Sequence, residues 1–370
     1  MKSKLLLVSI CVLAFAFSAN ATTYTVNNNG NSPGQYTSIQ AAVNAASNGD
    51  SIYVEPSPVD YGGFSVPRKL YIFGGGGDPY TYQANNRTIV DQVSFTNQTT
   101  FPVSSSSGSQ IEGFYIGSGV SIGCSLSNIT VLRNEVPGGF NICGSDTNIV
   151  ITGNIMSGGQ VYFTSNFNND NTILVANNFF MNQNAQPLFE NNGGQDQETG
   201  VQFINNIIYN SSTGLTNSGS FFRGLNNASI KNNIFYCQGG TGTFNSGCNA
   251  CTFENNITYS PNCSQILPDG NNTGTGNINN TNPAFVAGPA VYTAINVDLL
   301  YNYNWHLTTG SPGHLAGSDG TDIGIYGGPY PFPNFETITR LPQMRFLEIN
   351  NPTVQPGGTL HVNVIGTTHN

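Results

Sequence analysis

A short asparagine-containing phrase recurs six times between Val131 and Tyr259, and this repeat constrains the fold more than any other feature of the chain. The copies are V-L-R-N-E-V, I-T-G-N-I-M, V-A-N-N-F-F, F-I-N-N-I-I, I-K-N-N-I-F and F-E-N-N-I-T. Their last asparagines, spaced by 20, 24, 28, 27 and 23 residues, are Asn134, Asn154, Asn178, Asn206, Asn233 and Asn256. A period of about 20–50 residues is typical of solenoids. Because the unit is short, strand-like and rich in turn residues, it predicts a coil of parallel strands.

Two apolar columns flank these anchor asparagines. Three positions before the anchor stand Val131, Ile151, Val175, Phe203, Ile230 and Phe253. Two positions after it stand Val136, Met156, Phe180, Ile208, Phe235 and Thr258. Both columns are expected to point into the coil and to stack from rung to rung. The anchor asparagine suits a tight turn with left-handed backbone, and its side-chain amide can bond the equivalent amide one rung away.

The N-N-I-x-Y phrases resemble the right-handed parallel β-helix, or pectin-lyase-like, superfamily, and the resemblance covers most of the chain after residue 21. It implies an all-β solenoid of about 9–11 rungs. Residues 22–75 resemble the amino-terminal cap and first rungs of that superfamily, with a short helix within 37–50, and residues 277–330 resemble its closing rungs. The resemblance is specific for fold only, because this fold hosts lyases, hydrolases, adhesins and proteins without activity.

The two ends of the chain have different signatures. Residues 1–21 have a positive start, an apolar run and a small-x-small site, which predicts a secretory signal peptide. The β-helix domain is predicted to span 22–330. Residues 331–370 are predicted to form a linker and a β-hairpin tail, because 344–349 and 359–364 alternate apolar and polar residues around a Pro-Gly-Gly turn. We therefore expect a secreted protein, extracellular or on the cell surface, without a membrane span.

The composition of the chain limits the classes of binding partner that we expect. The formal net charge is −9, and only 8% of residues are charged. An acidic surface disfavours nucleic acid and anionic membranes. An extracellular glycan or a cell-surface partner is the expected partner.

Six cysteines follow the signal-like segment, and an even number in an exported chain favours disulfides. Cys124 and Cys143 occupy equivalent places on adjacent rungs, within bridging range, so they form either a disulfide or a stack of buried thiols. For the second cluster we expect two disulfides, with a four-thiolate zinc site as the alternative; its members are Cys237, Cys248, Cys251 and Cys263.

Catalytic candidates are few. The hydrolase motifs N-T-D, D-D, G-H-G and R-I-K of the resembling superfamily are absent from the sequence. Lys231 is a candidate lyase base, but the in-register position of Glu254 on the next rung favours a surface ion pair. In the lyase interpretation Arg223 neutralises a substrate carboxylate, and calcium is held by an acidic region that contains Glu190, Asp196 and Glu198. Otherwise no cofactor is expected.

Three tyrosines are the candidate binding residues. Tyr209, Tyr236 and Tyr259 each stand three positions after an anchor, so alternation predicts an outward stack that a sugar ring could contact. The alternative is that the tyrosines brace one another or lie under loops. His306 and His314 are interpreted as structural, because no nucleophile and acid accompany them.

These observations leave function open between classes. The leading hypothesis is an exported β-helix that binds extracellular polysaccharide or another surface without catalysis. The second is a divergent polysaccharide lyase or glycosidase that acts in a groove on the outside of the coil. The third is a purely structural surface or adhesin module.

Overall fold

The chain folds into a coil of stacked parallel strands, which confirms the predicted all-β parallel β-helix. The computed structural model describes residues 21–30, 34–75, 87–98, 104–164, 172–181, 187–191, 200–210, 221–237, 246–260, 266–289, 300, 302–332, 343–349 and 362–367. The predicted signal peptide lies almost entirely outside these residues and stays a prediction, as do the domain boundaries.

The largest sheet takes one strand from each rung and has ten parallel strands. In spatial order they are β1 (Thr23–Val26), β2 (Ser51–Val54), β4 (Tyr71–Gly74), β8 (Gln110–Glu112), β10 (Thr130–Leu132), β12 (Ile149–Thr152), β15 (Ile173–Ala176), β18 (Val201–Ile204), β22 (Ser229–Lys231) and β25 (Thr252–Glu254). Ten rungs fall within the predicted number. Isolated bridges from Thr252 to Thr273 and from Ile257 to Ile278 add part of an eleventh rung.

Two smaller sheets form the other faces. The five-stranded sheet directly follows the anchor asparagines and contains β13 (Ile155–Ser157), β16 (Phe179–Met181), β19 (Ile207–Asn210), β23 (Ile234–Cys237) and β26 (Ile257–Tyr259). The seven-stranded sheet contains β3 (Phe64–Val66), β5 (Ile89–Phe95), β9 (Tyr115–Ile122), β11 (Phe140–Ile142), β14 (Val161–Phe163), β17 (Phe189–Asn191) and β20 (Phe222–Arg223). Two short pairs complete the coil: β6 (Asn97–Gln98) with β7 (Ser104–Ser105), and β21 (Leu225–Asn226) with β24 (Cys248–Asn249).

The two predicted columns form part of the interior of the coil. Val131 pairs in register with Ile151, and the same column continues through Val175 to Phe253. Every member of both columns is buried. The prediction is confirmed because parallel strands in register put equivalent residues above one another, and only apolar side chains can fill the space they share.

The anchor asparagines form a continuous ladder through the core. The side-chain oxygen of each anchor after Asn134 accepts hydrogen bonds from the backbone N–H and from the side-chain amide of the anchor one rung before it, at 2.9–3.1 Å. The ladder extends one rung further than predicted, to Asn277. Its buried amides are therefore satisfied by one another and by nearby carbonyls, as buried polar groups require.

The turn geometry differs from the prediction in one respect. The left-handed residue is the one before each anchor, not the anchor itself. These residues have φ between 52° and 65° and are Arg133, Gly153, Asn177, Asn205, Asn232 and Asn255. Asparagine is favoured there because its short side chain tolerates left-handed backbone, while the anchor turns its own amide inward to the ladder.

A short helix, α1 (Ile39–Ala45), lies at the amino-terminal end of the coil. Ser38 caps its start by accepting a hydrogen bond from the Ala41 N–H. The helix buries Ile39, Ala42 and Val43 and packs against β1, β2 and β3. The predicted cap helix is thus present and covers apolar residues at the end of the coil.

The last part of the β-helix region does not form closing rungs, and that prediction is wrong beyond the partial eleventh rung. β27 (Phe285–Ala287) instead pairs antiparallel with β28 (Asn304–Leu307). Residues 302–332, which we call the strap, then run back along the outside of the coil. Their backbone meets the left-handed asparagines in reverse chain order: Asn255, Asn232, Asn205 and Asn177.

The strap exists because the outer face of the five-stranded sheet is apolar. Ile207, Ile234 and Ile257 point away from the coil interior and would otherwise face water. With the strap in place they belong to a second buried cluster, which includes Trp305, Leu307, Ile323, Ile325 and Phe332 from the strap. The backbone comes very close to the sheet at Gly313, where an added Cβ would lie 2.5 Å from the Ile257 side chain.

The carboxy-terminal tail contains a β-hairpin, as predicted. β29 (Gln343–Ile349) and β30 (Val362–Thr367) pair antiparallel. The predicted start of the second strand at Thr359 and the Pro-Gly-Gly turn lie outside the described residues.

Candidate functional site

The seven-stranded sheet presents a continuous column of outward side chains. Most of its strands place a partly exposed residue between two buried ones, and the longer strand β5 also exposes Asp91 and Gln92. The column runs in register through Ser65, Ser94, Ser121, Asn141, Tyr162, Glu190 and Arg223. Six strand spacings give it a length of about 29 Å. We call it the outer column.

The outer column changes chemistry along its length. Three serines occupy the end near α1, and Asn141 and Tyr162 lie in the middle. At the far end the Arg223 guanidinium lies 2.6 Å from the Glu190 carboxylate, and the arginine side chain is 59% exposed. The column is therefore neutral over most of its length and carries a compensated ion pair at one end.

The predicted lyase residues do not come together as one site. Lys231 lies on the ten-stranded sheet and Arg223 on the seven-stranded sheet. The Lys231 ammonium lies 2.7 Å from the Glu254 carboxylate, which confirms the expected rung-to-rung ion pair. Each candidate cation thus has its own carboxylate partner, on different faces of the coil.

The predicted metal site can be followed only in part. Glu190 is half-buried on β17 and pairs with Arg223. Asp196 and Glu198 lie outside the described residues, so calcium binding there stays a prediction. Within the described residues there is no group of three histidine, cysteine or acidic side chains able to hold a metal ion.

The three candidate tyrosines stack as predicted, but they are not an exposed strip. Tyr209 and Tyr236 stack at 5.4 Å, and Tyr236 lies 5.1 Å from Tyr259. Tyr209 is 2% exposed and Tyr236 7%, because Trp305 and Phe285 pack over them. Burial, with the nearby Tyr259, raises the pKa of Tyr236 to about 12. For Tyr209 and Tyr236 the alternative that the tyrosines lie under other segments is correct, whereas Tyr259 is partly exposed, so the three do not form an exposed strip.

Both histidines have structural contacts within the strap. The His306 ring stacks on Tyr326 with centroids 3.6 Å apart, and burial raises the pKa of that tyrosine. His314 lies 2.8 Å from the Asp322 carboxylate, which also accepts the Leu315 N–H. These contacts hold the strap in shape, in line with the structural interpretation.

The cysteine predictions have mixed outcomes. Cys124 and Cys143 form a disulfide with Cα atoms 4.8 Å apart, which decides between the two alternatives. Cys248 and Cys251 are free thiols. This contradicts the predicted pair of disulfides in the second cluster, which needs both, and Cys263 lies outside the described residues. A hydrogen bond from Cys248 lowers the pKa of the Cys251 thiol.

The outer column was not predicted from the sequence, although a signal for it is present. Five of the seven strands of the sheet carry a short apolar–polar–apolar pattern: F-S-V, V-S-F, V-S-I, F-N-I and V-Y-F. Such alternation is the mark of a half-exposed strand.

Comparison with known proteins gives little beyond the fold. No family model and no curated protein matches the chain. One solved structure, titled "Crystal structure of pectate lyase Pel9A", matches at 13% sequence identity and a TM-score of 0.35, with 84% of this chain and 96% of that chain covered. The chain is a parallel β-helix. The strand pairing establishes this, and no argument rests on the likeness. Among the described residues, no helix is long and apolar enough to cross a membrane.

Proposed function

We propose that this protein is an exported, non-catalytic binding protein that holds an extended, neutral polysaccharide along its outer column. The observation that carries the proposal is the in-register run of seven outward side chains on one exposed face. One side chain recurs at every rung, about 4.8 Å from the next. A linear polymer of sugar rings can meet such a row with successive residues.

The chemistry of the column favours a neutral chain. Serine and asparagine exchange hydrogen bonds with sugar hydroxyls, and the Tyr162 ring offers an apolar surface to the face of a sugar. The one cation on the column, Arg223, is already paired with Glu190. With a chain charge of −9, an acidic polysaccharide would meet net repulsion unless a metal bridged the charges.

The alternative function is a divergent polysaccharide lyase or glycosidase that acts in a groove on the outside of the coil. It is less well supported because Lys231 and Arg223 lie on different sheets, each beside a carboxylate. Calcium at Glu190 and the following acidic loop belongs to this alternative. The assays are therefore run with and without calcium.

Affinity gel electrophoresis on a panel of neutral and acidic polysaccharides tests the proposal. We expect retention on at least one neutral polysaccharide, weakened in Tyr162→Ala and Asn141→Ala. Gln202→Ala is the matched control, because Gln202 is an exposed polar residue on the ten-stranded sheet. Equal retention of all three variants would refute polysaccharide binding at the outer column.

The same panel is assayed for new reducing ends and for the ultraviolet absorbance of unsaturated products. Product formation that is lost in Lys231→Ala would establish the lyase instead. Absence of both retention and product would leave the third hypothesis, a structural or adhesin module.

A further inference from the structure

A small cavity lies where the strap ends against the coil, away from the outer column. It has a volume of about 230 Å³. The coil contributes the residues before two successive anchors and their neighbours, and the strap contributes a proline–tyrosine–proline sequence. The lining residues are Leu132, Arg133, Thr152, Gly153, Pro329, Tyr330 and Pro331.

The cavity arises from a break in the repeat. At four successive rungs the left-handed position before the anchor is asparagine, and those amides bond the strap or pack beneath it. At the two earlier rungs the same position is Gly153 and Arg133. Gly153 has no side chain to fill the space that an asparagine amide fills at the later rungs. A cavity therefore remains between the strap and the coil at this rung.

One residue that lines this cavity has a buried polar group without a hydrogen-bond partner among the described residues. Thr152 is 7% exposed, and its side-chain hydroxyl makes no hydrogen bond within the described structure. A buried hydroxyl left without a partner costs about 1–3 kcal/mol, so such groups usually bond water or a ligand. Valine has nearly the same shape and would avoid the cost at this position.

The charge in the cavity is already neutralised. The Arg133 guanidinium lies 3.0 Å from the carboxylate of Glu112, whose side chain is 2% exposed. This arginine can donate further hydrogen bonds, yet it offers no net charge to an anion. Tyr330, which is 47% exposed, and the two prolines supply apolar surface on the strap side.

We infer that this cavity binds a single neutral sugar ring, such as a terminal hexose. Its volume is below the usual range of about 300–1,000 Å³ for drug-sized ligands, which suits one ring better than an oligosaccharide. A pyranose has an apolar face for Tyr330 and a rim of hydroxyls for Thr152 and Arg133. The inference does not depend on the outer column, which lies on another sheet.

Isothermal titration of the full-length exported chain with methyl hexopyranosides tests the inference, with a hexuronate as the acidic counterpart. We expect at least one neutral glycoside to bind with a Kd on the order of 1 mM. Thr152→Val should weaken it about tenfold, the effect of losing one buried hydrogen bond. Thr130→Val is the matched control, because Thr130 lies half-buried on the neighbouring strand outside the cavity.

Gly153→Asn is the second test variant. It restores the residue found at the next four rungs, and its φ of 65° suits asparagine. The added Cβ would lie 3.4 Å from the Arg133 side chain, so the variant should fold normally while its amide occupies the cavity. Binding should be lost, although retention on polysaccharide gels should be unchanged.

The outcomes are distinct. Absence of binding by every neutral glycoside overturns the inference, as does unchanged affinity in both Thr152→Val and Gly153→Asn. Tighter binding of the hexuronate than of the neutral glycosides overturns the assignment of a neutral ligand to this cavity. If the outer column does not bind polysaccharide, retention on the gels is lost while these titrations are unchanged, so the two proposals can fail separately.

Discussion

Replacing Trp305 by alanine should release the strap and leave the coil folded. The indole is fully buried and contacts Phe179, Tyr209 and Phe285 at centroid distances of 4.7, 5.4 and 5.0 Å. Truncation of a fully buried tryptophan costs about 3–5 kcal/mol. The coil interior is a separate apolar cluster that contains no residue of the strap. The substitution should therefore weaken docking of the strap and leave the stability of the coil interior unchanged.

Hydrogen exchange measures this local opening directly. A loss of about 4 kcal/mol increases the opening equilibrium roughly a thousandfold, since each 1.4 kcal/mol is about tenfold. The Gly324 amide, which donates to the Asn232 carbonyl at 2.8 Å, should therefore exchange about a thousandfold faster. The ladder amide of Asn206, which donates to the Asn233 side chain, should be unchanged.

Titration of Tyr236 provides a second readout of the same event. Its pKa is raised to about 12 by burial and by the nearby Tyr259. Phe285, which packs on Tyr236, lies on β27, the strand that pairs with β28 of the strap. Where the strap opens easily, the apparent pKa should fall toward 10. Phe163→Ala, which removes a buried ring from the coil interior, is the control and should leave this pKa near 12.

The reasoning is refuted if strap and ladder amides accelerate together in Trp305→Ala. That result would mean that the strap unfolds only with the whole coil. Unchanged exchange at Gly324 would equally contradict the assigned packing.

Three further predictions concern the coil itself. Asn206→Ala should lower the free energy of unfolding by about 3 kcal/mol in denaturant titrations, because it leaves buried ladder partners unpaired. Asn141→Ala, at an exposed position, is the control, and an equally small loss in both variants would show that the ladder does not stabilise the fold. Reduction of the Cys124–Cys143 disulfide, whose cysteines are 19 residues apart, should cost about 3 kcal/mol, and a melting temperature unaffected by reductant would refute this. Asp146 is fully buried, and burial raises its pKa to about 7. Between about pH 4 and 7 the folded state keeps the carboxyl proton while the unfolded state loses it, so the free energy of unfolding should fall as pH rises through this range. Asp146→Asn should flatten that dependence in thermal melts, and an unchanged slope would show that another group titrates.

The coil was predictable because its constraints repeat. In a parallel stack each rung must present the same residue type at the same place, so the asparagine anchors and their apolar columns are visible without any knowledge of loop structure. The ladder followed from the chemistry of the amide, which can donate and accept in the same direction. Intervals that vary from 20 to 28 residues did not obscure it, because the strands stay in register whatever the length of chain between them.

The strap was not predicted, although its cause is visible in the repeat. Strict alternation assigned Ile208 to the interior and Tyr209 to the surface. However, Ile207, Ile208 and Tyr209 form a continuous apolar run, and such runs are typical of strands that are buried on both faces. The covering segment itself has no period, so only the need for a cover could be deduced, not which residues supply it.

The strap also decides which surfaces are open to a partner. It covers the five-stranded sheet from Asn255 to Asn177 and ends at the Gly153 cavity. Within the part of the chain that the structure describes, Asn141 and Arg223 of the seven-stranded sheet are exposed, and the outward residues of this sheet are polar where those of the five-stranded sheet are apolar. Because an apolar face requires a cover and a polar face can remain in water, outward polarity distinguishes a surface that serves folding from one that can serve binding. By this criterion the tyrosine stack contributes to stability, while the outer column and the cavity at the end of the strap remain open to the ligands that we propose for them.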